Sequence, residues 1–171
     1  MLAAAIAVVL SIAAVASANP GRVMAQDDCE PVSFNLAVPP QQPGDPPTCV
    51  GSGTTTFDSF IGQLVNHKFA GAWHFAPKQI NMKAGSSLVF ENRGGETHSL
   101  TGVTQFGGGG IVPPLNLILF GTTTPPFYFF PPLNIVPAGG TLTIPAATLT
   151  PGTHLFFCAI HPWMQETVRV S

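Results

Sequence analysis

The chain has 171 residues, with 6 Lys and Arg against 8 Asp and Glu and a formal net charge of −2. That length suits one domain with a real core and is too short for two. No basic run or basic patch interleaved with aromatics exists, which excludes the electrostatic footprint of nucleic-acid binding. Charged residues make up only 8% of the chain, so little opposes apolar contact with a partner.

Residues 3–16, "AAAIAVVLSIAAVA", form an apolar run followed by small residues. Residues 1–25 therefore read as a secretory signal, too short to be a spanning helix. Cleavage after Ala18 or after Ala25 fits the small-residue rule. No Lys or Arg precedes Arg22, so the usual positive flank is missing, and an uncleaved anchor is the alternative. Both versions place the chain outside the cytoplasm, periplasmic or secreted. From Gln26 onward five basic and eight acidic side chains remain, a net of −3.

Residues 26–56 are rich in Pro, Gly, Gln and Thr and end in "GSGTTT", which reads as an extension rather than core. Cys29 and Cys49 bracket its Pro-rich part. An oxidising compartment favours joining them, which would add about 3 kcal/mol in the chain-entropy model. Two free thiols in a disordered leader are the alternative. In either case Cys158 has no obvious disulfide partner.

The main domain is expected at 57–171. Its pattern has period two: Ile80 and Met82, Leu88 and Phe90, Leu142 and Ile144, and Val168 and Val170 alternate with polar residues. The turns "AGS", "NRGG", "PAGG" and "TPG" separate these strands and argue an all-β, antiparallel Greek-key sandwich. No helical stripe of comparable length is expected; "FDSFIGQLV" reads as a short turn or a strand.

Near the C-terminus, "THLFFC" is a strand ending at Cys158, and "CAIHPWM" follows it with His161 and Met164 at successive three-residue steps. A loop between adjacent strands can converge these side chains, and Pro162 stiffens it. Thiolate and thioether are soft donors and imidazole is intermediate, a mixture that suits copper. Zinc prefers four good donors, and a thioether is a poor one for it. A planar His2Cys set needs a second histidine, and His98, after the Gly94-Gly95 turn, is the candidate.

The strands around "KQINMKAGSSLVFENRGGETHSL" and "PGTHLFFCAIHPWM", with a closing Val-rich strand, resemble the blue copper proteins, or cupredoxins. The C-x2-H-x2-M spacing is most similar to amicyanin; plastocyanin and pseudoazurin have a longer gap before the methionine. The resemblance covers about residues 75–103 and 139–171. It implies one copper ion per chain, held by His98, Cys158 and His161 with Met164 axial. It also implies that His161 lies near the surface in an apolar patch, where a redox partner docks on a monomer. The family usually has Asn after the first histidine, bridging to the cysteine loop, and this chain has Ser99.

Residues 105–136 exceed the family's connections and contain a near repeat, "PPLNLI" at 113 and "PPLNIV" at 131. Two copies are compatible with a duplication and are too few for an array. The segment is expected to pack back as an extra hairpin that completes the core; the alternative is a flap presenting apolar surface beside the copper. His154 shares a strand face with Cys158 and reads as a hydrogen-bonded rim or core residue. His67 and His74 read as surface, with a second weak metal site as the alternative, and Met82 reads as core.

A one-electron carrier is the leading functional expectation. A copper storage or delivery protein without a dedicated redox partner is the runner-up. A copper enzyme ranks third, because its further copper sites are usually built from His-x-His pairs and the chain has none.

Overall fold

The computed structural model describes residues 20–171, and most of the expected leader lies outside them. Two four-stranded sheets enclose one core. The first runs β2–β1–β4–β8, from β1 (Gly21–Gln26), β2 (His74–Ala76), β4 (Leu88–Asn92) and β8 (Thr141–Ile144). The second runs β3–β10–β9–β6, from β3 (Gln79–Met82), β6 (Thr101–Val103), β9 (Gly152–Phe157) and β10 (Gln165–Val170). A two-stranded ribbon joins β5 (His98–Ser99) to β7 (Ile135–Val136). Val23, Phe75, Leu88 and Phe90 from the first sheet share a buried cluster with Met82, Phe156, Val168 and Val170 from the second. The alternation read from the sequence is thus the inward face of a β-sandwich.

The sheets are mixed: β1 runs parallel to β4, and β3 runs parallel to β10, while the other pairs are antiparallel. Strand β1 is the reason in the first sheet. It lies between β2 and β4, with Val23 opposite Phe90 and both side chains fully buried. Residues 21–25 therefore belong to the sandwich, and a leader ending at Ala25 would carry away an interior strand. Cleavage after Ala18 keeps it.

Residues 26–56 are also part of the fold, contrary to the expectation of an extension outside it. Cys29 and Cys49 form a disulfide. Between them α1 (Pro31–Ala37) starts on Glu30, whose carboxylate accepts the N–H groups of Val32 and Ser33 at 3.0 and 2.7 Å. Pro31 suits the first helical turn because its missing N–H is not needed there. Phe34 on α1 is buried against Trp73, with ring centroids 5.7 Å apart and nearly parallel planes.

"FDSFIGQLV" is helical: α2 spans Phe57–His67, and Thr56 caps it by accepting the Ser59 N–H at 3.3 Å. Phe57, Phe60, Ile61 and Leu64 recur at i, i+3, i+4 and i+7, a helical stripe that was present in the sequence. Phe60 and Leu64 are buried. No helix among the described residues is long and apolar enough to cross a membrane.

The 105–136 segment is not a hairpin. It contains α3 (Pro113–Phe120) and ends in β7, so "PPLNLI" is helical while "PPLNIV" leads into a strand. The tertiary setting decides between them. Asn116 on α3 is buried and clamps Gly110 in both directions, at 2.9 and 2.8 Å. Asn134 of the second copy instead donates its side-chain N–H to Leu100 O at 3.0 Å, and Ile135 and Val136 pair with Ser99 and His98. Phe129 stacks on Phe157 at 5.8 Å, whereas Phe127 and Phe130 stay about half exposed. The segment does complete the core, and it also supports the strand that carries His98.

A chain beginning at Asn19 is expected to show one cooperative thermal transition by circular dichroism, and one beginning at Gln26 is expected to lose it, since an interior strand is missing. Equal transition midpoints for the two would mean that β1 is dispensable.

Candidate metal centre

His98 lies on β5, Cys158 directly follows β9, and His161 sits in the short loop before β10. Their donor atoms meet: Cys158 Sγ is 3.8 Å from His98 Nδ1 and 3.7 Å from His161 Nδ1, and the two Nδ1 atoms are 3.3 Å apart. Among the described residues this is the one group of three such side chains able to hold a metal ion. Metal bonds of roughly 2.0–2.3 Å at roughly 120° place donors roughly 3.5–3.7 Å apart, so the spacing fits one first-row ion. All three residues are buried.

The protonation chemistry points the same way. His98 Nε2 is 2.8 Å from Asp27 Oδ2, and a carboxylate can only accept there, so Nε2 carries the proton. A neutral His98 then directs the lone pair of Nδ1 at a sulfur and a second imidazole nitrogen. Three donors facing one another in a dry interior call for a cation between them. In its absence a proton takes the role: burial acts to lower the pKa of His98, but the hydrogen bonds to Asp27 and Cys158 outweigh it and hold it at about 9. Burial likewise acts to raise the Cys158 thiol, and the two imidazoles overcome this and hold it well below the ordinary range. Cys158 is therefore poised as a thiolate, the form that binds metal.

Met164 is buried in the same core, and its backbone is fixed to the other loop residues. Its N–H donates to His161 O at 2.9 Å, and its carbonyl accepts the Cys158 N–H at 3.0 Å. The x2 spacings of the motif thus form a closed turn.

Sequence reasoning missed two carboxylates behind the imidazoles. Asp27, at the end of the first strand, accepts from Gly95 N–H and Glu96 N–H at 3.0 Å each and from Cys29 N–H at 3.2 Å, besides His98. Burial raises its pKa, yet the His98 and backbone hydrogen bonds and the attraction of His98 bring it down to about 2. A Cβ on Gly94 would lie 2.0 Å from Asp27 Oδ2, and one on Gly95 would lie 2.7 Å from Cys29 Sγ, so the Gly-Gly turn is what lets the backbone wrap the carboxylate. Glu96 lies 3.7 Å from His161 Nε2 and accepts the Trp73 indole N–H. Burial pushes the pKa of Glu96 up, opposed by His161 and by that indole. The sequence signal for Asp27 was an acidic residue two positions before the first cysteine, with nothing to pair it to a histidine 71 positions away.

Ser99 fills the bridging place. Its Oγ accepts the Ala159 N–H at 2.7 Å, and its own N–H donates to Cys158 Sγ at 3.3 Å. A hydroxyl therefore ties the first ligand strand to the cysteine loop without asparagine. His161 departs from expectation, because it is 2% exposed rather than near the surface. The Phe60 ring meets it edge-on at 6.4 Å and the Trp163 ring at 5.3 Å. From the other side the glycine run of 107–110 closes in: a Cβ on Gly110 would lie 2.1 Å from Ala159 O and 2.9 Å from the Pro162 ring. His154 is a rim residue bonded to Thr150 O at 2.7 Å, His67 is exposed at the end of α2, and His74 starts β2, so none of them joins the centre. Met82 is buried in the core.

No family model and no curated relative matches the chain. Among solved structures it is similar to a purple cupredoxin from Nitrosopumilus maritimus, at 14% identity over 88% of this chain and 99% of that one, with a TM-score of 0.42. It is similar to a copper-containing nitrite reductase from Thermus scotoductus, at 20% identity and a TM-score of 0.38, over 57% of this chain but only 20% of the enzyme. It is also similar to amicyanin from Paracoccus versutus, at 14% identity over 57% of this chain and 73% of that one, with a TM-score of 0.36. At these values the functional argument rests on the side chains of the centre.

The Asp27–His98 pair makes stability pH-dependent in the metal-free protein. A depressed Asp27 contributes above about pH 4 and loses that contribution as pH falls towards 2; the raised His98 contributes below about pH 6.5 and loses it as pH rises through 9. Asp27→Asn is expected to cost about 2 kcal/mol near pH 5–6 and progressively less towards about pH 2, measured by urea unfolding. A cost independent of pH would show that the carboxylate charge is not what the surrounding N–H groups are arranged to hold.

Proposed function

We propose that this protein is an exported cupredoxin with one type 1 copper ion per chain, acting as a one-electron carrier. The observation that supports the reading most is the buried triad of His98 Nδ1, Cys158 Sγ and His161 Nδ1, with mutual separations of 3.3–3.8 Å. A thiolate with two imidazoles is a donor set that suits copper, and His98, Cys158 and His161 would hold the ion, with the Met164 thioether as a weaker fourth donor. When bound, the ion supplies reversible cycling between Cu(II) and Cu(I).

The chain's own residues define how that cycling would run. His98 is held by Asp27, and the Cys158 sulfur accepts the Ser99 N–H. The ligand loop closes on itself through Met164. A donor set fixed in this way moves little between two charge states. The enclosure by Phe60, Trp163 and the 107–110 glycines keeps water from the centre, and no position for a substrate is needed. The Asp27 carboxylate behind His98 favours the more highly charged ion, which lowers the reduction potential.

Cu(II) loading is expected to produce an intense thiolate-to-copper absorption band that bleaches reversibly on reduction and is lost in Cys158→Ser. Asp27→Asn is expected to keep the band and raise the potential in voltammetry. Copper binding without the band would move the reading to storage or delivery, and no binding would remove the metal altogether.

A further inference from the structure

The centre is closed on most sides, which raises the question of where an electron leaves it. Asp27 and Glu96 lie behind the two imidazoles, Phe60 covers His161, and the glycine run seals Ala159 and Pro162. A cavity of about 710 Å³ between the sheets touches no residue of the ligand loop. A cleft of about 510 Å³ has Trp163, Met164 and Gln165 in its wall. It is therefore a place where the ligand loop meets solvent.

That cleft has a distinct chemistry. Lys68 and Lys78 line it, no Asp or Glu does, and neither lysine forms an ion pair among the described residues. In a chain of net negative charge with only six Lys and Arg, two of them meet here, whereas Arg22 and Arg93 are both spent on Glu91. Lys68 is held at the entrance by donating to Ile118 O of α3 at 2.9 Å. The buried Trp163 indole N–H has no acceptor. Much of the wall is apolar: Phe69, 53% exposed, lines it together with Ala70, Trp73, Phe75, Trp163 and Met164. A cationic hollow with an apolar wall is complementary to a protein surface that presents a carboxylate within an apolar contact area.

We infer that the redox partner docks on this cleft, rather than over His161, and seats an acidic side chain against Lys68 and Lys78. The inference rests on the copper-carrier reading. One electron crosses between the partner's redox group and the centre by way of the Trp163–Met164 wall; one side is oxidised as the other is reduced, and no bond or proton changes hands.

Small inorganic complexes test it on the copper-loaded protein. Oxidation of the reduced form is followed by stopped flow with hexacyanoferrate(III), an anion, and with tris(phenanthroline)cobalt(III), a cation, at ionic strengths of about 10 and about 200 mM. The net charge alone would make the anion's rate rise with salt. Docking at the cleft makes it fall, and Lys78→Glu lowers it on the order of tenfold at low salt, while Lys78→Arg keeps it and the cation's rate does not drop. Redox-inert hexacyanocobaltate(III), added to the diamagnetic Cu(I) form, is expected to shift the amide signals of Lys78 and Gln165 and the Trp163 indole. Shifts elsewhere, or an anion rate that rises with salt, would overturn the docking inference alone. Exchange with neither reagent would overturn the carrier reading, and this inference with it.

Discussion

One carboxylate holds the centre to the fold. Asp27 collects N–H groups from Cys29, Gly95, Glu96 and the His98 ring. These belong to the disulfide segment, the Gly-Gly turn and the strand that carries His98. A buried anion with that many donors cannot shift without leaving several of them unsatisfied, and charge-assisted hydrogen bonds are the stronger kind. The orientation of His98 is thus set by a part of the chain that contributes none of the three clustered donor atoms. The disulfide reinforces the same point, since Cys29 is two residues from Asp27 and its sulfur packs on Gly95.

The second theme is enclosure. Helix α2 brings Phe60 to one side of His161, α1 stacks Phe34 on Trp73, and Trp73 in turn fixes Glu96. The 105–136 segment closes the other side through the Gly110 contact and supplies the strand that pairs with His98 and Ser99. Each element outside the plain sandwich therefore touches the centre or something that touches it. In a dry, low-dielectric interior, hydrogen bonds and charges act more strongly than in water, so these additions bear on the electrostatics of the His98, Cys158 and His161 cluster as well as on the stability of the fold.

Legibility followed the range of the interactions. The strands were readable because their alternation is local, and the convergence of Cys158 and His161 was readable because they lie three residues apart. His98 could be placed by its turn and strand context. Asp27, Glu96 and the parallel pairing of β1 depend on contacts across most of the chain, and nothing local distinguishes them. Helix α2 was legible and misread: its stripe of Phe57, Phe60, Ile61 and Leu64 is short and lies beside turn-rich sequence. The end of the leader was left between Ala18 and Ala25 for a related reason, since Arg22 to Ala25 carry no strong strand pattern and acquire one only between β2 and β4. The two near-identical hexapeptides, one helical and one leading into a strand, show why such segments resist local reading.

The full burial of Cys158 separates reactivity from accessibility. Two imidazoles hold its sulfur as a thiolate, the species that attacks disulfides and alkylating agents, yet no reagent of that size reaches it in the folded chain. In an oxidising compartment this imposes an order on maturation. Cys29 and Cys49 are close in sequence and can pair early, and folding then sequesters the third thiol before it can enter exchange. The access of external chemistry to Cys158 consequently depends on the opening of its loop, so one thiol reports on breathing of the cluster around it.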